Sequence, residues 1–241
     1  MGRTLIDAVL ADRELTLAAA FDVAGSPAIG SPAGAIKISS DAKAAGLADV
    51  LIDFTRPEGT LEHLKLARAM VIGTTGFSQA QRQQIEAAAR RIPIVMAANF
   101  AVGVNAVYKL AETAATILGD AYDVEIVEAH HRHKVDAPSG TALHLGAVVA
   151  KALNRRLEEV ATHGRKGDTG ERDAKAIGFH AIRGGDMVGE HTVIFAGLGE
   201  RVEITVRSQS RMTYAAGALR AAKFLKSKGP GLYGMADVLG L

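Results

Sequence analysis

Through the first hundred residues, short apolar runs alternate with longer stretches that are apolar on one side only. "LTLAAAF", residues 15–21, closes on Asp22 and predicts a buried strand, and "DVLIDF" at 49–54 predicts a second. Pro57 opens a predicted helix running to Met70, because the missing N–H of proline is not needed in a first helical turn. Met70–Ile72 predicts a third strand, ending on "GTTGF". The stretch "SQAQRQQIEAAARR", 78–91, is amphipathic and begins with Ser78, a side chain suited to capping. "PIVMA" at 93–97 predicts a fourth strand, followed by a helix over about Val104 to Leu118. Strands separated by helices of this length imply βαβ units and a parallel sheet.

The pattern changes after Asp120. A strand is predicted over Tyr122–Ala129 and a helix over Ser139–Leu153, then longer strands at 175–183, 191–196 and 201–208. In the last of these Val202, Ile204 and Val206 alternate with Arg201, Glu203 and Arg207, as in a sheet with one buried face. A final helix, Met212–Lys226, precedes a Gly-rich tail. The predicted fold class is α/β. A Rossmann-like parallel-sheet nucleotide domain would use residues 1–100 and 212–241, and an α+β mixed-sheet domain over 101–211 would be inserted into it.

Composition narrows the function classes. Lys and Arg number 28 against 26 acids, a net charge of +2, too balanced for a general nucleic-acid or acidic-membrane surface. Cysteine is absent, which removes disulfides and thiolate metal sites and suits a reducing compartment. No apolar run approaches the ~20 residues of a membrane span, and no signal peptide precedes the first helix. A cytoplasmic protein is expected.

Three features of the first half invite a nucleotide. Asp22 ends a predicted strand where an acid can accept hydrogen bonds from ribose hydroxyls, or can simply begin a turn. Gly73, Thr74 and Thr75 lie at the carboxyl end of the next-but-one strand, where open α/β sheets bind ligands, although a strand-to-helix turn also needs glycine. Ala97, Ala98, Asn99 and Phe100 occupy the same edge, with Phe100 either stacked on a flat ring or part of the core.

The densest chemistry is "EAHHRHKVDAPSGTA", residues 128–142. As a metal site it is poor. His130 and His131 point to opposite faces of a strand, and Arg132 and Lys134 would repel a dication. A solvated basic loop remains one reading. The other begins from Ser139-Gly140-Thr141, which can start a helix after Pro138 and so present free N–H groups to an anion. A carboxylate held there would lie near Arg132, Lys134 and imidazoles able to move a proton near neutral pH. Such a stretch suits protonation of a small polycarboxylate, with electrons supplied by a nicotinamide cofactor in the α/β half.

The same stretch resembles the signature of the 4-hydroxy-tetrahydrodipicolinate reductase (dihydrodipicolinate reductase) family. The likeness continues through "FTRPEGTLEHL", "GTTGF", "AANFAVGVN", "GDTGER", "RGGDMVGEHTVIF", "ERVEITVRSQSRMTYAAGALRAAKFL" and "GLYGMADVL", nearly the whole chain. The resemblance implies NADH- or NADPH-dependent reduction of a cyclic dicarboxylate to tetrahydrodipicolinate in diaminopimelate and lysine biosynthesis, by a cytoplasmic homotetramer built through the inserted domain's sheet. It implies His130 as proton donor, Lys134 as second catalytic cation, and His131, Gly140 and Thr141 as carboxylate contacts, to which the free N–H groups of the helix start add Ser139. Gly73–Thr75 and Ala97–Phe100 would be cofactor loops and Asp22 the ribose contact. No arginine follows Asp22 in Val23-Ala24-Gly25, so NADH is expected over NADPH. Ala101 stands where the family often has Ser. The family's opening strand and the first glycines of its pyrophosphate loop have no counterpart before Met1-Gly2-Arg3, so a truncated or misplaced start with weakened cofactor binding is expected. A non-catalytic relative that binds ligand without turnover is the alternative.

Overall fold

The computed structural model describes residues 1–241, which form two compact units: Met1–Val102 with Arg211–Leu241, and Gly103–Ser210. Along the first unit run helix α1 (Gly2–Ala11), a hairpin of β1 (Pro32–Ala33) and β2 (Ile36–Lys37), then β3 (Leu51–Asp53), α2 (Pro57–His63), β4 (Met70–Ile72), α3 (Gln79–Ala89) and β5 (Pro93–Met96). The second unit is built from α4 (Val102–Leu118), β6 (Asp123–His130), α5 (Gly140–Ala152), α6 (Leu157–Val160), β7 (Ala161–His163), β8 (Ile177–Arg183), β9 (Gly189–Ala196) and β10 (Arg201–Ser208). The chain then adds α7 (Met212–Leu225), β11 (Gly231–Tyr233) and α8 (Met235–Leu239) to the first unit.

In the first unit β11, β5, β4 and β3 form a four-stranded parallel sheet in that order. Val71 and Val95 pack with Leu5, Phe100, Ala218, Leu219 and Leu225, while Ile72 and Ile94 pack with Leu64, Phe77 and Ile85. Strands sandwiched in this way read as continuous apolar runs, which is why they show so clearly in the sequence. Helix α3 starts with a reciprocal cap: Ser78 Oγ accepts from the Gln81 N–H, and Gln81 Oε1 accepts from the Ser78 N–H.

Two expectations need correction. Residues 15–21 belong to no sheet; only Phe21 makes an isolated bridge, to Ser39. Leu15 and Leu17 do pack against the core, so the apolar signal was genuine, but a strand also needs a hydrogen-bonding neighbour and β3 ends the sheet on its side. Helix α2 stops at His63, with turns replacing the rest of the stretch expected to reach Met70. The Gly-rich tail supplies β11 and α8.

The second unit is a mixed five-stranded sheet ordered β10-β9-β6-β8-β7, with β6 parallel to β8 and antiparallel to β9. Its covered face carries Val124, Ile126, Phe179, Val193 and Phe195 against Val107 and Ala111 of α4 and Leu145 and Val149 of α5. Ile204 and Val206 of the edge strand join that core only in part. On the opposite face Glu125 gathers Arg165, Arg172 and His180 at 2.7–3.1 Å. Burial pushes the Glu125 carboxyl up, but these cations hold it down at about 2. Gly178 lies beneath it, and a Cβ there would overlap the carboxylate. No helix is long and apolar enough to cross a membrane.

Candidate active site

Alternation along β6 places Glu128 and His130 on one face of the strand, and both are buried, at 1% and 8% exposure. A buried carboxylate is costly unless its oxygens are fully partnered. Here they are. Arg183, aligned with His130 on the parallel neighbour β8, gives Glu128 a two-pronged ion pair at 2.7 and 2.7 Å. The Ser139 N–H donates to Glu128 Oε1 at 3.0 Å, and His130 Nδ1 lies 2.6 Å from Oε2. Arg183 also donates to the Asp136 carbonyl at 2.6 Å, tying down the turn between β6 and α5.

Electrostatics follow from this packing. Burial pushes Glu128 up, but Arg183 and His130 together hold its carboxyl below the usual range. Burial lowers the His130 imidazole; Glu128 works against that, while Lys134 and Arg183 push further down. His191 of β9 meets His130 edge-on at 5.2 Å, and burial with the neighbouring His130 takes it to about 4. It is therefore neutral near pH 7. Its Nε2 lies 2.9 Å from Ser139 Oγ, which also accepts the Ala142 N–H as the N-cap of α5.

The residues singled out in the sequence are thus distributed unequally. Ser139 has both its N–H and its hydroxyl engaged within the frame. Gly140, exposed, stands at the first position of α5, where an N–H has no helical acceptor, and Thr141 follows it. Lys134 Nζ rests on Asp136 Oδ1 at 2.8 Å. His131 is half-buried with no hydrogen-bond partner at Nδ1, and Arg132 and His133 are exposed. No group of three or more His, Cys, Asp or Glu side chains is arranged to hold a metal. Glu128, Arg183 and His191 were not chosen from the sequence as site residues, although the i, i+2 spacing of Glu128 and His130 on a strand was a usable signal.

In the first unit a second buried carboxylate organises the strand ends. Asp53, 3% exposed, closes β3. Its Oδ1 accepts from the Thr55 N–H (3.0 Å) and the hydroxyls of Thr55 (2.7 Å), Thr60 (3.1 Å) and Thr74 (3.1 Å), and Oδ2 lies 2.5 Å from His63 Nδ1. Burial pushes this carboxyl up, but His63 and Thr55 leave it below its usual value. Thr74 is therefore turned inward, whereas Thr75 and Gly76 are exposed. Gly73 abuts Phe54 so closely that a Cβ would overlap the ring. Phe100 is in the core, 1% exposed and tilted against Phe54 at 5.5 Å, so its ring is not displayed for stacking. Ala98 is exposed, and Asn99 Oδ1 accepts the Ala101 N–H. Asp22 is exposed, with Oδ2 accepting from Ser26 Oγ at 2.7 Å and Oδ1 from the Val23 N–H at 2.8 Å.

Residues 1–100 match the family model described as dihydrodipicolinate reductase, N-terminus, and residues 103–239 that described as dihydrodipicolinate reductase, C-terminus. The chain belongs to the dihydrodipicolinate reductase family. Curated 4-hydroxy-tetrahydrodipicolinate reductases share 61% identity in Aromatoleum aromaticum and 58% in Cupriavidus metallidurans, covering all of this chain and 92% and 96% of theirs. Among solved structures, the dipicolinate-bound dihydrodipicolinate reductase of Paenisporosarcina sp. TG-14 matches with a TM-score of 0.77 at 25% identity, over 98% of this chain and 94% of that one. The family is one of NAD(P)H-dependent oxidoreductases.

The first unit fits such a cofactor. At the carboxyl ends of β4 and β5 it offers two loops whose exposed residues are the small Thr75, Gly76 and Ala98. That is the edge at which parallel α/β sheets take nucleotides. In this family member Gly73, Thr75, Ala97, Ala98 and Asn99 would present backbone and short side chains to the nucleotide, with Thr74 held behind them by Asp53.

Proposed function

We propose that this chain reduces 4-hydroxy-tetrahydrodipicolinate to tetrahydrodipicolinate, with His130 as general acid and Lys134 as catalytic cation and proton donor. The observation that carries this is the buried Glu128–His130 pair set directly against the capped start of α5, with Lys134 close enough to act on the His130 charge. The dicarboxylate bound to the Paenisporosarcina relative supports the class of substrate, and the 56–61% identical reductases support turnover over ligand binding alone.

One substrate carboxylate would be held by the N–H groups of Gly140 and Thr141 and the Thr141 side chain, with His131 beside it; Ser139 would serve by shaping the turn. The bound nicotinamide supplies a hydride. Loss of water from the substrate leaves a C=C conjugated to the ring C=N, and hydride addition there leaves a carbon that must take one proton. His130 delivers that proton, and Lys134 offsets the substrate's negative charge. Asp22, Gly73–Thr75 and Ala97–Phe100 remain the proposed cofactor contacts, Thr74 and Phe100 from behind. A homotetramer joined through the uncovered sheet face of the second unit, in the cytoplasm, completes the reading.

Replacing Thr141 by Val should raise KM for substrate and leave the Kd for NADH unchanged. Titration of the variant with NADH alone, beside steady-state kinetics, checks this; an unchanged KM would move the carboxylate elsewhere. Cofactor choice is also expected to be readable. An acid at Asp22 repels a 2′-phosphate, and no cation follows it before Lys37, so kcat/KM should favour NADH. A clear NADPH preference would show that another cation supplies the phosphate contact.

A further inference from the structure

We infer that Glu128, locked by Arg183, is a positioning residue that fixes the protonation pattern of His130, a reading that rests on His130 being the proton donor. The geometry leaves little freedom. An ionised carboxylate can only accept, so the nitrogen 2.6 Å from it, Nδ1, must carry hydrogen. Nε2 is then the single ring nitrogen able to exchange a proton with substrate. The reacting form is the imidazolium, with Nδ1–H held on Glu128 and Nε2–H to give. After transfer the ring is neutral, keeps Nδ1–H, and regains its Nε2 proton from solvent.

The groups facing His130 from each neighbouring element fit these roles. Glu128 on β6 supplies the negative charge that sustains the imidazolium inside the protein. Arg183 on β8 grips both Glu128 oxygens, so the carboxylate cannot rotate away or take up the proton itself. His191 on β9 packs edge-on and is pinned by Ser139. Lys134, in the turn after β6, opposes the imidazolium until a substrate carboxylate arrives beside it. Through its N–H, Ser139 also ties Glu128 to the start of α5, so the proton donor and the carboxylate site share one anchor.

Glu128→Gln keeps shape and an acceptor but removes the charge. The folded variant, checked by circular dichroism and by NADH titration, should retain KM within about threefold while kcat drops roughly 10²-fold. The alkaline limb of its kcat/KM profile should move to lower pH, because the imidazolium has lost its counter-charge. Arg183→Lys, which keeps charge but loses the fork, should give a smaller fall in kcat of the same kind. A merely structural Glu128 would lower yield or Tm and leave the pH limb in place. That outcome, with kcat near normal, overturns the proposal. Should Glu128→Gln fail to fold, nitrogen-15 NMR of histidine in the unmodified protein decides, with the His130 signal assigned by its loss in His130→Gln. Nδ1–H is expected in the neutral ring, and an Nε2–H tautomer would refute the inference. Normal kcat in His130→Gln would remove the proton-donor assignment instead, while the tautomer still reports what Glu128 does to the ring.

Discussion

His130→Gln and Lys134→Ala should each lower kcat roughly 10²-fold or more, the usual loss when a positioned acid or its charge partner is removed. Affinity for NADH alone should barely move. Substrate generated in situ from pyruvate and aspartate semialdehyde by the preceding enzyme allows NADH oxidation to be followed directly. Because burial, Lys134 and Arg183 outweigh Glu128 and set His130 below the ordinary histidine value, the protonated form is the scarce one. In the unaltered chain kcat/KM should be highest at acidic pH and fall as pH rises through that lowered value. Near-normal kcat in either variant excludes that residue from the chemical step.

Asp53→Ala should be the most destabilising single change in the first unit. It would remove the acceptor shared by three threonine hydroxyls, the Thr55 N–H and His63, leaving Thr74 Oγ1 to accept from the Thr55 N–H and the Thr60 hydroxyl around a space no side chain fills. Breaking a buried ionic hub of this kind costs about 3–5 kcal/mol. At roughly 2–4 °C per kcal/mol for a chain this size, Tm should drop by about 6–20 °C. NADH binding should weaken as well, since Thr74 loses its inward anchor beside Thr75. The pH dependence has a definite sign. The Asp53 carboxyl is below its ordinary 3.8 in the folded chain, so its contribution is present above that value and is lost as pH falls below it. Thermal melts of both proteins across pH 3–7 should draw closer toward the acidic end, without meeting while the neutral Asp53 still fills its site; parallel curves would show that the Asp53 charge carries no weight.

Local signals were legible and distant ones were not. The Ser78 cap, the β4 and β5 runs and the turn into α5 depend on residues within a few positions of one another, and the sequence displays them openly. Pairing is different. Whether 15–21 joins a sheet depends on which strand lies beside it, which periodicity does not record. The hairpin of β1 and β2 has two-residue strands, too short for any alternation to register. At the site, the stretch 128–142 announced its chemistry through composition, but its control comes from Arg183 and His191, more than fifty residues on, brought in by the parallel pairing of β8 and the antiparallel pairing of β9 with β6. Phe100 shows the opposite limit: its position suggested display, and only packing against Phe54 reveals that the ring faces inward.

The first unit is discontinuous, and that imposes an order on synthesis. Of the fifteen buried residues in its main core, eight, from Ala215 to Val238, arrive after the second unit has been read. The stretch 103–210 is contiguous, so a ribosome releases all of its sheet before α7 exists. At about 5–20 residues per second, the remaining 31 residues, 211–241, take roughly 2–6 s to appear. During that interval β4 and β5 have no α7 to cover Val71 and Val95 and no β11 to close their outer edge. The nascent nucleotide half thus waits, apolar side bare, for residues 211–241, and that window is where chaperone capture or misassembly has its opening.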